Sequence, residues 1–372
     1  MPIVANTYRY VVGVDTHAAT HTYAVIDCAT GAVLDEATFP TTPAGLGRAI
    51  GWIERRTLIS SGGDLNAVLA AVEGTGSYGA LLSQRLADTG FRVVEAPTPA
   101  RARGRGKSDI LDAVTAARSS LPMDTRELRD RRGTTSQDDQ LRTALAVLST
   151  AREQSSTERT RTVNALTALV RTHDLGIDAR RKLKASQIDQ ISRWRARDEP
   201  LGAATARAHA ITLARRVNEL DQDLAHNRAQ IQELMETHAP EQSQALLAAP
   251  GIGPVVAAAV LVAWGHGGRV RSEAALAMIA GTAPIPASSG NTTRHRLNPG
   301  GDRRLNRAIN TIVLTRLRLD PRTRLYVERR RAEGKTDREI RRCLKRYITR
   351  QLYRTLNNTT AQPAPQQTPT AA

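Results

Sequence analysis

The run Val68-Leu69-Ala70-Ala71-Val72 holds only apolar side chains, and it suits a strand covered on both faces, as central parallel strands are. It calls for a sheet around it and helices on either side. The upstream sequence supplies the partners: Tyr10-Val11-Val12-Gly13-Val14-Asp15, then Thr22-Tyr23-Ala24-Val25-Ile26-Asp27, then Ala32-Val33-Leu34 through Phe39, with Thr30-Gly31 in the turn between the second and third. These predict an antiparallel meander. Pro43 to Arg56 and Tyr78 to Ala87 read as helices and Arg92 to Glu95 as a further strand. The expectation is an α/β domain over residues 1–125, a mixed sheet with flanking helices.

Residues 126–240 change character. From Ser136 to about Met235 turn residues are few and helix formers many. Leu213, Val217, Leu220, Leu224, Ile231 and Leu234 recur at steps of four and three, with Asn227 as the polar position of the seam, which is a coiled-coil signature. An amphipathic helix packed within its own subunit gives the same pattern. The reading favoured here is a helical arm for self-association. Residues 241–356 are expected to form a mainly helical C-terminal domain, and residues 357–372, rich in Thr, Gln, Pro and Ala, a disordered tail.

The chain of 372 residues carries a formal charge of +17. Between Asn291 and Arg354 there are 20 Lys or Arg against 6 Asp or Glu, so nearly all of the excess lies in one stretch. Clustered cations gain free energy by displacing counterions from phosphates, which makes nucleic acid the first partner to consider. Cys28 and Cys343 are far apart and lack a CxxC partner, so neither a disulfide framework nor a cysteine zinc site is indicated, as in a reducing cytoplasm. No apolar run is long enough to span a membrane, and the N-terminus lacks the pattern of a signal peptide.

Asp15 ends the first apolar strand and Glu73 ends the buried one. Asp109 and Asp112 lie three apart in Lys107-Ser108-Asp109-Ile110-Leu111-Asp112-Ala113, and on a helix both project from one face. Acids packed together repel and take up protons unless a cation sits among them. Magnesium prefers oxygen ligands, and two such ions about 3.5 to 4 Å apart clamp the attacking and leaving oxygens of a phosphoryl transfer. The four acids are therefore candidates for a two-metal phosphodiester site, and Lys107 either contacts a phosphate there or is simply solvated. A lone acid of this kind is more often a surface charge or a helix cap. His17, His21 and His295 share no ligand spacing and are read as polar surface residues.

Further on, the segment from Leu247 to Ala258 resembles a helix-hairpin-helix element, in which Gly251 and Gly253 would let the turn approach a phosphate. Ordinary packing turns look alike. Ser288-Ser289-Gly290 is followed by Arg294, His295, Arg296, Arg303, Arg304 and Arg307. A serine hydroxyl is a weak nucleophile, but beside guanidinium groups that hold a phosphate it can attack phosphorus. Ser289 is the candidate and Ser288 the alternative; without the arginines the segment would read as a solvated Ser-Gly loop.

Taken in order, Val12-Gly13-Val14-Asp15, Val72-Glu73-Gly74-Thr75-Gly76-Ser77-Tyr78, the Lys107 to Ala113 segment, Gly251-Ile252-Gly253 and Ser289-Gly290 resemble the insertion-sequence family one-ten transposases and the related Piv-type DNA invertases. The resemblance runs from about Arg9 to Arg354. It implies a RuvC-like, ribonuclease-H-type domain whose DEDD set, here Asp15, Glu73, Asp109 and Asp112, binds magnesium. It also implies a helical linker and a C-terminal domain whose serine, here Ser289, links transiently to DNA. Donor and target DNA would be selected by a noncoding bridge RNA, and the assembly would be a dimer to tetramer. Two other readings remain at this point: a structure-selective DNA endonuclease of the junction-resolvase kind using the same acids and water, and a basic nucleic-acid-binding protein whose acids are only structural.

Overall fold

The computed structural model describes residues 2–59, 61–97, 108–126, 128, 136–267, 269–287, 295–296, 298 and 300–360. A single helical turn, α1 (Val4–Thr7), leads into β1 (Tyr10–Thr16), β2 (Thr20–Asp27) and β3 (Val33–Pro40), which pair as the expected antiparallel meander. After α2 (Pro43–Thr57), β4 (Val68–Val72) pairs parallel to the free edge of β1; after α3 (Ala80–Asp88), β5 (Arg92–Glu95) pairs parallel to β4. The order is β3-β2-β1-β4-β5, a mixed sheet with β1 and β4 at its centre.

Every residue of β4 is buried, because each face of the sheet is covered. Val12, Val14, Ala70 and Val72 pack with Leu46 and Ile53 of α2 and Leu82 and Leu86 of α3. On the other face Val11, Leu69 and Ala71 pack with Ala113, Ala116 and Ala117 of α4 (Asp109–Ser120). Strand residues alternate between faces, so Val11, Gly13 and Asp15 all look towards α4. Cys28 belongs to the same layer, and burial pushes its thiol up to about 12. Alkylation of the native protein near pH 8 is therefore expected to spare Cys28, whose thiolate is roughly a thousand-fold scarcer than that of an ordinary thiol. Peptide mass mapping that finds Cys28 modified as fast as in the unfolded chain would contradict this burial.

The chain forms two compact units, Met1–Ser136 and Gln137–Ala372. The second is helical: α5 (Ser136–Thr172), α6 (Ala185–Ser192), α7 (Leu201–His238), α8 (Pro240–Leu247), α9 (Pro254–Trp264) and α10 (Glu273–Ile279) precede a two-strand ribbon of β6 (Ile285–Pro286) and β7 (His295–Arg296). Then follow α11 (Arg303–Leu319), α12 (Pro321–Ala332) and α13 (Asp337–Thr360). Apolar on nearly every side, α9 is almost wholly buried at the centre, where it packs with α8, α11 and α13.

The seam of α7 is largely covered within the chain, as in the alternative of an amphipathic helix packed in its own subunit. Val217 packs with Val163, Leu166 and Val170 of α5, and Ile231 joins Leu145 in the central core. Asn227 donates from Nδ2 to the Leu148 carbonyl at 2.9 Å, and Arg159 pairs with Asp221 across the same two helices. Periodicity reveals that a helix has an apolar stripe and says nothing of which chain fills it.

Candidate functional site

β1 and β4 run parallel, so their carboxyl ends lie at one edge of the sheet, where open α/β sheets place their ligand sites. Asp15 is there, only 5 % exposed. The backbone N–H of Glu73 donates to the Val14 carbonyl at 3.0 Å, and the Thr16 hydroxyl donates to the Glu73 carbonyl at 2.9 Å, which fixes the start of the loop after β4 beside Asp15. From the covering side comes α4. The Ser108 hydroxyl accepts from Leu111 N at 3.3 Å and caps its start, with Asp109 and Asp112 in the first turn.

Gly13 sets how close that helix comes. A Cβ built there would lie 2.6 Å from the Ala117 nitrogen and 2.8 Å from its Cβ, and nearer still to the Ala113 carbonyl oxygen. With hydrogen as side chain, α4 lies directly on β1, and its first turn reaches the end where Asp15 stands.

Nδ1 of His17 lies 3.4 Å from Oδ2 of Asp15 and 4.0 Å from Oδ2 of Asp109, and the three ligand atoms fall within 4.8 Å of one another. Burial raises the Asp15 carboxyl above its ordinary range; His17 opposes this, while Glu73, Asp112 and Asp109 add to it by repulsion. Oδ2 of Asp15 is buried and accepts no hydrogen bond. An orphaned buried oxygen among acids and one imidazole has the make-up of a divalent-cation site, and hard cations with oxygen ligands fit it best. The four predicted acids are thus brought to one end of the sheet: Asp15 and Asp109 share the cluster directly, whereas exposed Glu73 and half-buried Asp112 act on it electrostatically.

Residues 12–173 match a transposase profile of the DEDD, IS110 type, and residues 243–328 match the Transposase IS116/IS110/IS902 family. All four acids fall in the first span, and the proposed serine and glycines in the second. The chain is an insertion-sequence transposase of the IS110/IS116/IS902 family. It is similar to the insertion element IS900 uncharacterized 42 kDa protein of Mycobacterium paratuberculosis, 29 % identical over 328 aligned residues that cover 75 % of this chain and 79 % of that one. A second relative is the insertion element IS110 uncharacterized 43.6 kDa protein of Streptomyces coelicolor, 40 % identical over 109 residues, 29 % of this chain and 26 % of the relative.

Elsewhere in the transposase, Lys107, Ser288, Ser289 and Arg294 lie outside the described residues. Arg296 on β7 and Arg303 at the start of α11 are exposed. Arg304 and Arg307 both pair with Glu153 of α5 and hold its carboxyl below the usual range, so these two cations already have an intramolecular partner. Gly251, at φ +83°, turns the chain between α8 and α9, where a Cβ built on it would lie 3.3 Å from the Ile312 carbonyl oxygen of α11, while Gly253 is exposed and a Cβ there would meet nothing. Gly251 therefore allows close packing on a helix, and only Gly253 presents open backbone.

One histidine departs from the surface reading, and an exposed one joins the acids. His21 is buried in β2, where burial lowers its affinity for a proton. His17 stands in the acid cluster, and the signal was present: it continues the alternation of Gly13 and Asp15. His295 is exposed, as expected. Among the described residues no helix is long and apolar enough to cross a membrane.

Proposed function

We propose that this transposase cuts and rejoins DNA with a two-part site, in which Asp15, Glu73, Asp109 and Asp112 hold magnesium and Ser289 is the nucleophile. The observation that carries the reading is the buried Asp15 oxygen that accepts no hydrogen bond and faces Asp109 and His17 at the carboxyl ends of β1 and β4. Magnesium bound there would polarise a phosphodiester oxygen and neutralise developing charge. In the chemistry of the chain itself, Ser289 Oγ forms a bond to phosphorus as the phosphorus–oxygen bond to the DNA sugar breaks, and the hydroxyl proton passes to the departing oxygen. The phosphoserine ester keeps the phosphoryl group activated. A hydroxyl of the new strand then attacks phosphorus, the Ser289 ester bond breaks, and the serine recovers a proton.

Arg294, Arg296 and Arg303 are placed by this reading against phosphates, and Arg304 and Arg307 join them only on release from Glu153. Gly251 and Gly253 shape the turn that supports the phosphate backbone. Donor and target DNA are chosen by a bridge RNA in a dimer or tetramer, a part of the reading that rests on the family resemblance alone now that the seam of α7 is largely filled.

The acid cluster by itself has what a hydrolytic nuclease needs, which keeps a water-using, structure-selective DNA endonuclease as the second reading. Replacing the serine separates them. Ser289→Ala is expected to abolish the protein–DNA adduct on denaturing gels and to slow strand cleavage about a thousand-fold or more. Normal nicking by the variant would replace the recombinase reading with the nuclease one.

A further inference from the structure

Between α11, α12 and α13 of the second unit lies a cavity of about 610 Å³, a size typical of ligand pockets. Arg316 lines it and is only 9 % exposed. Its Nε donates to the Pro250 carbonyl at 2.8 Å and its Nη1 to Oε1 of Gln351 at 2.7 Å. Both acceptors are neutral. The acid in the same wall, Asp320, is turned to the start of α12, where its carboxylate accepts from Arg322 N, Thr323 N and the Thr323 hydroxyl. Among the described residues Arg316 thus has no carboxylate at ion-pair distance, and burial lowers its hold on its proton. The N–H groups of Arg316 that these two bonds leave over are free to donate to a molecule in the cavity it lines.

A second observation says what that molecule is. Tyr326 and Tyr347 line this cavity and also line a larger neighbouring groove of about 1240 Å³. That groove carries Arg296, Lys335, Arg338, Arg341, Arg342 and Lys345, which outnumber its two acids, Asp337 and Glu339. Tyr347 is 57 % exposed, and the Arg329 guanidinium sits 5.5 Å above the Tyr326 ring. Two aromatic residues therefore stand between a cationic channel suited to phosphates and a pocket with a buried donor fork. A flat ring with acceptors on its edge fits the second space, and a polyanionic backbone fits the first.

We propose that this cavity receives an unpaired nucleotide base from a strand lying in the basic groove, with Tyr326 and Tyr347 contacting its face and Arg316 donating to its edge. The inference rests on the nucleic-acid reading given above and adds to it a preference for unpaired over paired strands. Duplex bases are already stacked and cannot enter.

The test is fluorescence anisotropy of the full chain with a labelled single-stranded oligodeoxynucleotide, an oligoribonucleotide of the same sequence, and the blunt DNA duplex. Tyr347→Ala, at an exposed site, is expected to weaken single-strand binding about ten-fold and leave duplex binding within two-fold, whereas Tyr347→Phe keeps both. Arg316→Lys keeps the charge without the fork and should show the same selective loss. The single strand that loses more affinity, DNA or RNA, identifies the source of the base. Equal losses on single strand and duplex, or none, would overturn the pocket while leaving the function standing. A wild-type chain that binds none of the three would overturn both.

Discussion

Asp15→Asn is expected to remove metal-dependent DNA cleavage, by about a thousand-fold or more, while the protein without metal melts no lower than the wild type. Both halves follow from the same carboxylate. Its Oδ2 is buried without a donor, and burial and the neighbouring Glu73, Asp112 and Asp109 charges all oppose ionisation. An amide of equal size relieves that repulsion, so stability is kept or gained. The change also removes the best-buried oxygen of the cluster, and with it the charge that would hold a cation. Thermal shift checks this without any assay of activity: magnesium or manganese should raise the melting temperature of the wild type and leave the variant unmoved. A variant that still gains stability from the metal, or that cleaves at the wild-type rate, would remove Asp15 from the site.

What the sequence made legible follows from how local each signal is. Strand alternation and two apolar runs ending in acids are local, and they led to Asp15 and Glu73 at one sheet edge; the spacing of Asp109 and Asp112 is equally local. His17 obeyed the same alternation and was passed over because histidines were compared with each other and not with the acids. The seam of α7 was visible, but its occupant was not, since Leu145 and Val163 lie far away in sequence. Counting charge between Asn291 and Arg354 located the basic surface. It could not show that Glu153, more than a hundred residues upstream, holds Arg304 and Arg307, or that Arg316 is buried. Long-range pairing decides which cations remain available, and no local pattern records it.

The same logic makes Gly13 a sensitive position of the first unit. Gly13→Ala is expected to lower its melting temperature by roughly 5–15 °C, because overpacking of this kind costs about 1–3 kcal/mol or more. The atoms in the way are backbone, the Ala113 carbonyl oxygen and the Ala117 nitrogen, and no side chain can rotate to make room. The helix itself must lift. Since α4 carries Asp109 and Asp112 in its first turn, lifting it also pulls two acids from Asp15, so the stabilisation by magnesium should shrink along with the melting temperature. Gly47→Ala is the control: that glycine is on the exposed face of α2, a Cβ there meets nothing, and alanine favours the helix, so stability should hold or rise by about 0.5–1 kcal/mol. If Gly13→Ala melts like the control and keeps its full response to magnesium, close contact between α4 and β1 is not what assembles the acids.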